Sequence, residues 1–295
     1  MRVTSFISLC VISLGIMQTA CAKSIRFEYP SVSYVNFQSP DLSKPDATID
    51  ISGQLRIPAD ATSASPVPAV LILHGSSGID SRGRFYTKAL NAHGYATLEI
   101  DMWAARDIDS PSERPSLPSL TVPDAFSALE FLSRNEKIDN NKISILGFSW
   151  GGVVSMLAAT SHYQELYGNG KRFAANIAHY PVCWAYTANI PGISFTNINA
   201  DGVLIQIGEL DDYDESAQPC EDLIAGLPED ERELVQLKVY QDAYHAWDRL
   251  QPAIVVQDPF SHLGQGGEVR IEANIRAAKK SKKEIIKFLQ NKVLN

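Results

Sequence analysis

After residue 66, short apolar runs alternate with longer segments of helical periodicity, and this alternation limits the fold more than any other feature of the chain. The runs occupy residues 69–73, 95–100, 142–146, 174–179, 203–207 and 234–240. Several are apolar without a period of two, as strands covered on both faces should be. Helical patterns fall between or after them at 84–92, 122–133, 150–160, 215–225 and 272–292. Strand and helix in repetition predict a mostly parallel sheet with crossover helices on both faces. Residues 26–36 and 47–57 alternate more strictly and are expected as an antiparallel edge. Loops are expected over the Pro-rich stretch 108–123 and over 249–271. In the last helix Ile275, Ala278, Ile285 and Leu289 approximate one docking face, and the lysines between 279 and 287 its solvated face.

The N-terminus carries Arg2, an apolar stretch over residues 6–16 and the small triplet Ala20-Cys21-Ala22. That is the order of a secretory signal peptide, residues 1–22, with an apolar run too short to span a bilayer. Cleavage after Ala22 leaves 273 residues, 23–295, expected as a single domain; lipidation at Cys21 is the rival outcome. Without Arg2 the balance is 25 basic against 34 acidic residues, which points away from nucleic acid as a partner. The expected compartment is periplasmic or extracellular. Two cysteines, Cys183 and Cys220, remain in that oxidising setting, Cys183 just past one strand end and Cys220 in the segment after the next strand. A disulfide between them is expected, closing a loop of about 38 residues and contributing roughly 4 kcal/mol in the chain-entropy model.

Chemistry is concentrated in Gly147-Phe148-Ser149-Trp150-Gly151, between the strand at 142–146 and a helical segment. A serine flanked by glycines on a strand-to-helix turn is held on a strained backbone with its hydroxyl raised above the sheet. Serine needs a base within hydrogen-bond reach and a carboxylate to orient that base, in the chain order serine, acid, histidine. His74 and His93 precede the serine, His162 precedes any strand-end acid, His179 sits before the acidic loop as a packed or loop histidine, and His262 has no strand behind it. His245 follows the last strand closely and is the expected base. For the acid, the strand at 203–207 runs into Gly208-Glu209-Leu210-Asp211-Asp212; Asp211 is favoured and Asp212 is the alternative. Two backbone N–H groups should form an oxyanion hole: Trp150, directly after the nucleophile, and Ser76 in the loop His74-Gly75-Ser76-Ser77-Gly78. No phosphate-loop or metal-ligand spacing is present, and no cofactor is expected.

These motifs together, with Tyr240-Gln241-Asp242-Ala243-Tyr244-His245-Ala246-Trp247-Asp248, resemble the dienelactone hydrolase family over about residues 66–248. The resemblance implies the α/β-hydrolase fold, a sheet of about eight strands, and hydrolysis of a small-molecule ester or lactone. Ser149 stands where dienelactone hydrolase itself has cysteine, and Gly75 where it has glutamate, so the chain is similar to the broader serine-esterase branch. The loop Asp101-Met102-Trp103-Ala104-Ala105-Arg106 follows a strand end, and Arg249 lies four residues beyond His245. The family places an arginine in each corresponding loop against a substrate carboxylate, so Arg106 and Arg249, with Trp103, are the expected substrate contacts. A serine peptidase on the same fold and a secreted binding protein without chemistry are the alternatives.

Overall fold

A computed structural model describes residues 29–44 and 46–294; the expected signal peptide, with Cys21, lies outside the described residues. Eight strands form the main sheet: β1 (Ser33–Pro40), β2 (Thr48–Arg56), β3 (Val67–Leu73), β4 (Ala96–Asp101), β5 (Ile138–Phe148), β6 (Asn176–His179), β7 (Val203–Leu210) and β8 (Val235–Tyr244). Their order is β1-β2-β4-β3-β5-β6-β7-β8. The pairs from β4 through β8 are parallel, and β1 and β2 add the antiparallel edge. β1 lies downstream of its expected position, because its ladder runs from Ser33 opposite Leu55 to Pro40 opposite Thr48.

Side chains alternate across the sheet and feed two cores. On β3, Ala69, Leu71 and Leu73 face one core, while Val70 and Ile72 face the other. Helices α2 (Val122–Ser133), α3 (Trp150–Ala158) and α5 (Gln218–Ala225) close the first; α1 (Ser81–Ala92) and the C-terminal helix, Ile275–Leu289, close the second. In that last helix Ala278, Ile285 and Leu289 are buried, but Ile275 at its first turn is 60% exposed. Helix α4 (Ser161–Tyr167) was not anticipated, since little of its short span is apolar and Leu166 faces solvent.

The largest departure from expectation lies in 249–271. Instead of a plain loop, Ile254–Asp258 (β9) and Gly267–Ile271 (β10) pair as an antiparallel ribbon. The strands are only five residues each, and between them His262 and Leu263 hold left-handed backbone at φ 51° and 56°. Cys183 and Cys220 are joined by a disulfide, with their Cα atoms 5.0 Å apart.

Candidate active site

The carboxyl ends of β3, β5, β7 and β8 converge on one cleft, as the ends of parallel strands do in open α/β sheets. At the end of β5 the chain turns so sharply into α3 that Ser149 holds φ 50° and ψ −109°, a conformation L-residues avoid. The neighbouring residues must be small. A Cβ on Gly147 would stand 1.8 Å from the Gly151 carbonyl oxygen, and one on Gly151 would stand 2.6 Å from that of Leu73. Ser149 N–H donates to the His179 carbonyl, and the Ser149 carbonyl accepts from Val153 to start the helix.

His245 follows β8 directly. Its Nε2 is 2.9 Å from Ser149 Oγ, and its Nδ1 is 2.8 Å from Asp211 Oδ2. Asp211 Oδ1 also accepts the Tyr213 N–H at 3.0 Å, which fixes the carboxylate. The neighbouring Asp212 points elsewhere and accepts the Arg270 backbone N–H at 2.7 Å. The His245 ring is packed between Tyr180 and Tyr213, with centroids 4.6 and 4.4 Å away. Close approach of the acid and histidine loops depends on Gly208, where a Cβ would meet the Ala243 carbonyl oxygen at 2.1 Å.

The loop after β3 lies beside the serine. Its turn is closed by Gly78 N–H to the Gly75 carbonyl, and Gly151 N–H donates to the His74 carbonyl, tying the loop to α3. Among the described residues, neither the Ser76 nor the Trp150 N–H is engaged by a hydrogen bond. His74 supports the loop from below: its Nε2 accepts the Met102 N–H at 2.9 Å, and its Nδ1 lies 2.8 Å from the Gly75 carbonyl. Burial pushes its imidazole down to about 4, so the ring is neutral at pH 7.

The expected substrate contacts separate. Trp103 is buried, and its indole N–H donates to the Ser76 carbonyl at 3.0 Å, so it braces the loop. Arg106 turns into the body of the protein, where Nη1 is 2.8 Å from the fully buried Asp124 and 2.8 Å from the Met102 carbonyl. Arg249 does border the cleft, with Nε 3.9 Å from Asp80. The arginine that reaches the cleft from the Pro-rich stretch is Arg114, paired with Asp258 of β9 at 2.7 Å and lying over the Trp150 and Phe260 rings. Nothing in the sequence around Arg114 marks it, since that stretch has no period.

Behind the cleft, fully buried Asp248 accepts from Tyr180 at 2.6 Å, from Tyr86 at 2.7 Å and from His179 Nδ1 at 2.9 Å. Burial pushes its carboxyl up, but the His179 hydrogen bond and the Arg82 charge more than offset this and hold it below the usual range. Its signal lay in the Tyr240 to Asp248 motif. Cys183, Asp214 and Cys220 are the one cluster of metal-ligating types among the described residues, and its sulfurs are consumed by the disulfide. Asp214 instead accepts the Cys183 and Trp184 N–H groups, both at 2.8 Å, and so holds the cleft wall.

Two lobes meet at Ser149. A narrow one of about 60 Å³ is walled by side chains such as Leu117, Val153, Trp184 and Ile193; a wider one of about 410 Å³ is bordered by Gly75, Arg82, His245, Arg249 and Gln257.

The family model for the dienelactone hydrolase family matches residues 51–293. The chain belongs to the dienelactone hydrolase family. It is accordingly a carboxylic ester hydrolase. A dienelactone hydrolase from Anabaena variabilis superimposes with a TM-score of 0.59 at 16% identity, covering 90% of this chain and 100% of that one. Esterase 2 of Thermogutta terrifontis, phosphorylated by paraoxon, gives 0.60 at 14% identity over 90% and 95%. A dienelactone hydrolase-like promiscuous phosphotriesterase from metagenomic libraries gives 0.56 at 15% over 88% and 98%. At such identities the likeness shows the fold. No curated protein matches the sequence.

Proposed function

We propose that this dienelactone hydrolase family member is an exported serine esterase that cuts a small ester or lactone through an acyl-enzyme. The observation that carries this is the unbroken line Asp211, His245, Ser149, with contacts of 2.8 and 2.9 Å at a serine held on a strained turn. His245 Nε2 takes the Ser149 proton as Oγ attacks the ester carbonyl, and Asp211 keeps the ring oriented and stabilises the imidazolium. The N–H groups of Ser76 and Trp150 stabilise the negative charge that develops on the carbonyl oxygen. Collapse breaks the ester C–O bond, and His245 returns its proton to the departing alcohol. Water, deprotonated by the same histidine, then releases the acid and restores Ser149. Support for export comes from the charged, apolar and small-residue order of the N-terminus and from the Cys183–Cys220 disulfide.

A fluorophosphonate probe should label Ser149 once per chain, as read by intact mass and peptide mapping. Ser149→Ala and His245→Ala should each lower kcat by about 10⁴-fold or more, and the double variant should be little worse, because the two act as a unit. An adduct on a different serine, or full turnover by either variant, would remove the proposal.

A further inference from the structure

The two lobes meet different members of the line Asp211, His245, Ser149. Ser149 and Ser76 border both, but His245 borders the wide lobe and Trp150 the narrow one. The alcohol that leaves as the tetrahedral intermediate collapses to the acyl-enzyme must receive its proton from His245, so it departs on the side that His245 faces. The acyl group stays on Ser149 with its oxygen toward the Trp150 and Ser76 N–H groups, and so extends the other way. The geometry points to the narrow lobe as the acyl site and the wide lobe as the alcohol site, which makes the substrate an ester of a short apolar acid with a polar alcohol.

This assignment rests on the acyl-enzyme proposed above. The chemistry of the walls agrees with it. The narrow lobe presents Leu117, Val153, Trp184, Ile190, Ile193 and Phe260, and the guanidinium at its rim, Arg114, is already paired with Asp258. A charged acyl group placed there would lose its water and gain no partner. Its volume, about 60 Å³, is far below the roughly 300–1,000 Å³ of pockets that hold drug-sized ligands, so a short acid fits and a fatty acid does not. The wide lobe adds hydrogen-bonding groups, from Ser77, Ser112, Arg249 and Gln257, beside apolar walls such as Val256 and Ile271.

Two ester series separate the lobes: p-nitrophenyl acetate, butyrate, hexanoate and decanoate vary the acid, and methyl to butyl acetates vary the alcohol. For the wild type, kcat/KM should climb up to about fourfold per added methylene toward butyrate, as expected for burying a methylene, and collapse at decanoate. The acetate series should be nearly flat. Ile190→Trp, which narrows the acyl site from its half-buried wall, should lose at least about tenfold more on butyrate than on acetate. Trp184→Ala, which widens it, should move the optimum to a longer acid, and serves if the first variant does not fold. A penalty from Ile190→Trp that tracks the alcohol instead of the acid would reverse the assignment, and a wild type indifferent to acyl length would overturn it. Hydrolysis of neither series, with no probe label on Ser149, would overturn the acyl-enzyme itself. Labelling without hydrolysis of any of these esters would overturn only the substrate class.

Discussion

The floor of the cleft and its roof are each tied by a buried arginine–aspartate pair of nearly equal length, 2.8 Å for Arg106–Asp124 and 2.7 Å for Arg114–Asp258, yet the regions around them differ. Arg106 joins the turn after β4 to α2, inside a body already fixed by parallel ladders and a continuous apolar core. Arg114 joins the Pro-rich stretch to the β9–β10 ribbon, whose Ile254 and Val255 are 38% and 59% exposed. A two-stranded ribbon is marginal by itself. The roof is held to the body by a short set of ties: the side-chain contacts Arg114 to Asp258, Asp212 to the Arg270 backbone and Glu215 to His262, the backbone bonds from His262 and Leu263 N–H to the Asp212 and Tyr213 carbonyls, and a bridge between His245 and Ile271. The proposed catalytic line Asp211, His245, Ser149 belongs to the floor, where backbone geometry fixes it, while the walls of the cleft belong in part to the roof.

Breaking the floor pair tests this division most severely. Arg106→Gln strands the fully buried Asp124 carboxylate, already pushed upward by burial, with the Ser39 hydroxyl as its remaining partner. Removal of one member of a buried pair costs roughly 3–5 kcal/mol. Urea unfolding should show that loss, while KM for p-nitrophenyl butyrate stays near the wild-type value. A raised KM at unchanged stability would place Arg106 in the cleft, where the sequence alone had expected it.

That expectation shows what was legible. The six strands from β3 to β8 were readable because an apolar run buried on both faces has a local signature, and the Ser149 turn because its glycines are set by contacts within a few residues. The order serine, acid, histidine follows from strand order. Which of the adjacent acids, Asp211 or Asp212, turns toward His245 depends on where the chain leaves β7, and that is settled by packing against the β8 loop. Arg106 was misplaced for the same reason, since its direction is set by Asp124, eighteen residues away in a different element. The Arg114–Asp258 pair left no trace, because its partners lie 144 residues apart, and the ribbon was missed although Ile254-Val255-Val256 is β-branched, because its two strands are short.

His74 sharpens the picture of the floor through pH. Its folded-state pKa, about 4, lies below the ordinary value of 6.5, so the unfolded chain binds the proton first on acidification. The stabilisation is complete above pH 6.5 and is lost as pH falls toward 4, on the order of 3 kcal/mol from this group. His74→Gln retains an acceptor for the Met102 N–H but does not titrate. Comparing urea unfolding at pH 7 and pH 4.5, the wild type should lose distinctly more stability than the variant. Equal losses would mean that the ring is protonated or exposed in the folded state.

The smallest expected effect separates roof from floor most directly. Arg114→Gln leaves Asp258, 6% exposed, with the Phe260 N–H as a remaining donor, as Arg106→Gln leaves Asp124 with the Ser39 hydroxyl. The consequence should differ: if the ribbon opens locally and returns Asp258 to water, the cost cannot exceed the free energy of that opening. The loss should then appear in binding: KM for p-nitrophenyl butyrate should rise by about tenfold, near 1.4 kcal/mol, with kcat much less affected. The midpoint of thermal unfolding should then move by no more than about 2 °C, as for a ribbon that opens ahead of the body. Amide exchange should quicken in Ile254–Asp258 and Gly267–Ile271 and stay slow in β5 and β7. If Arg114→Gln instead lowers the unfolding midpoint as far as Arg106→Gln does, ribbon and body unfold together, and the distinction between floor and roof fails.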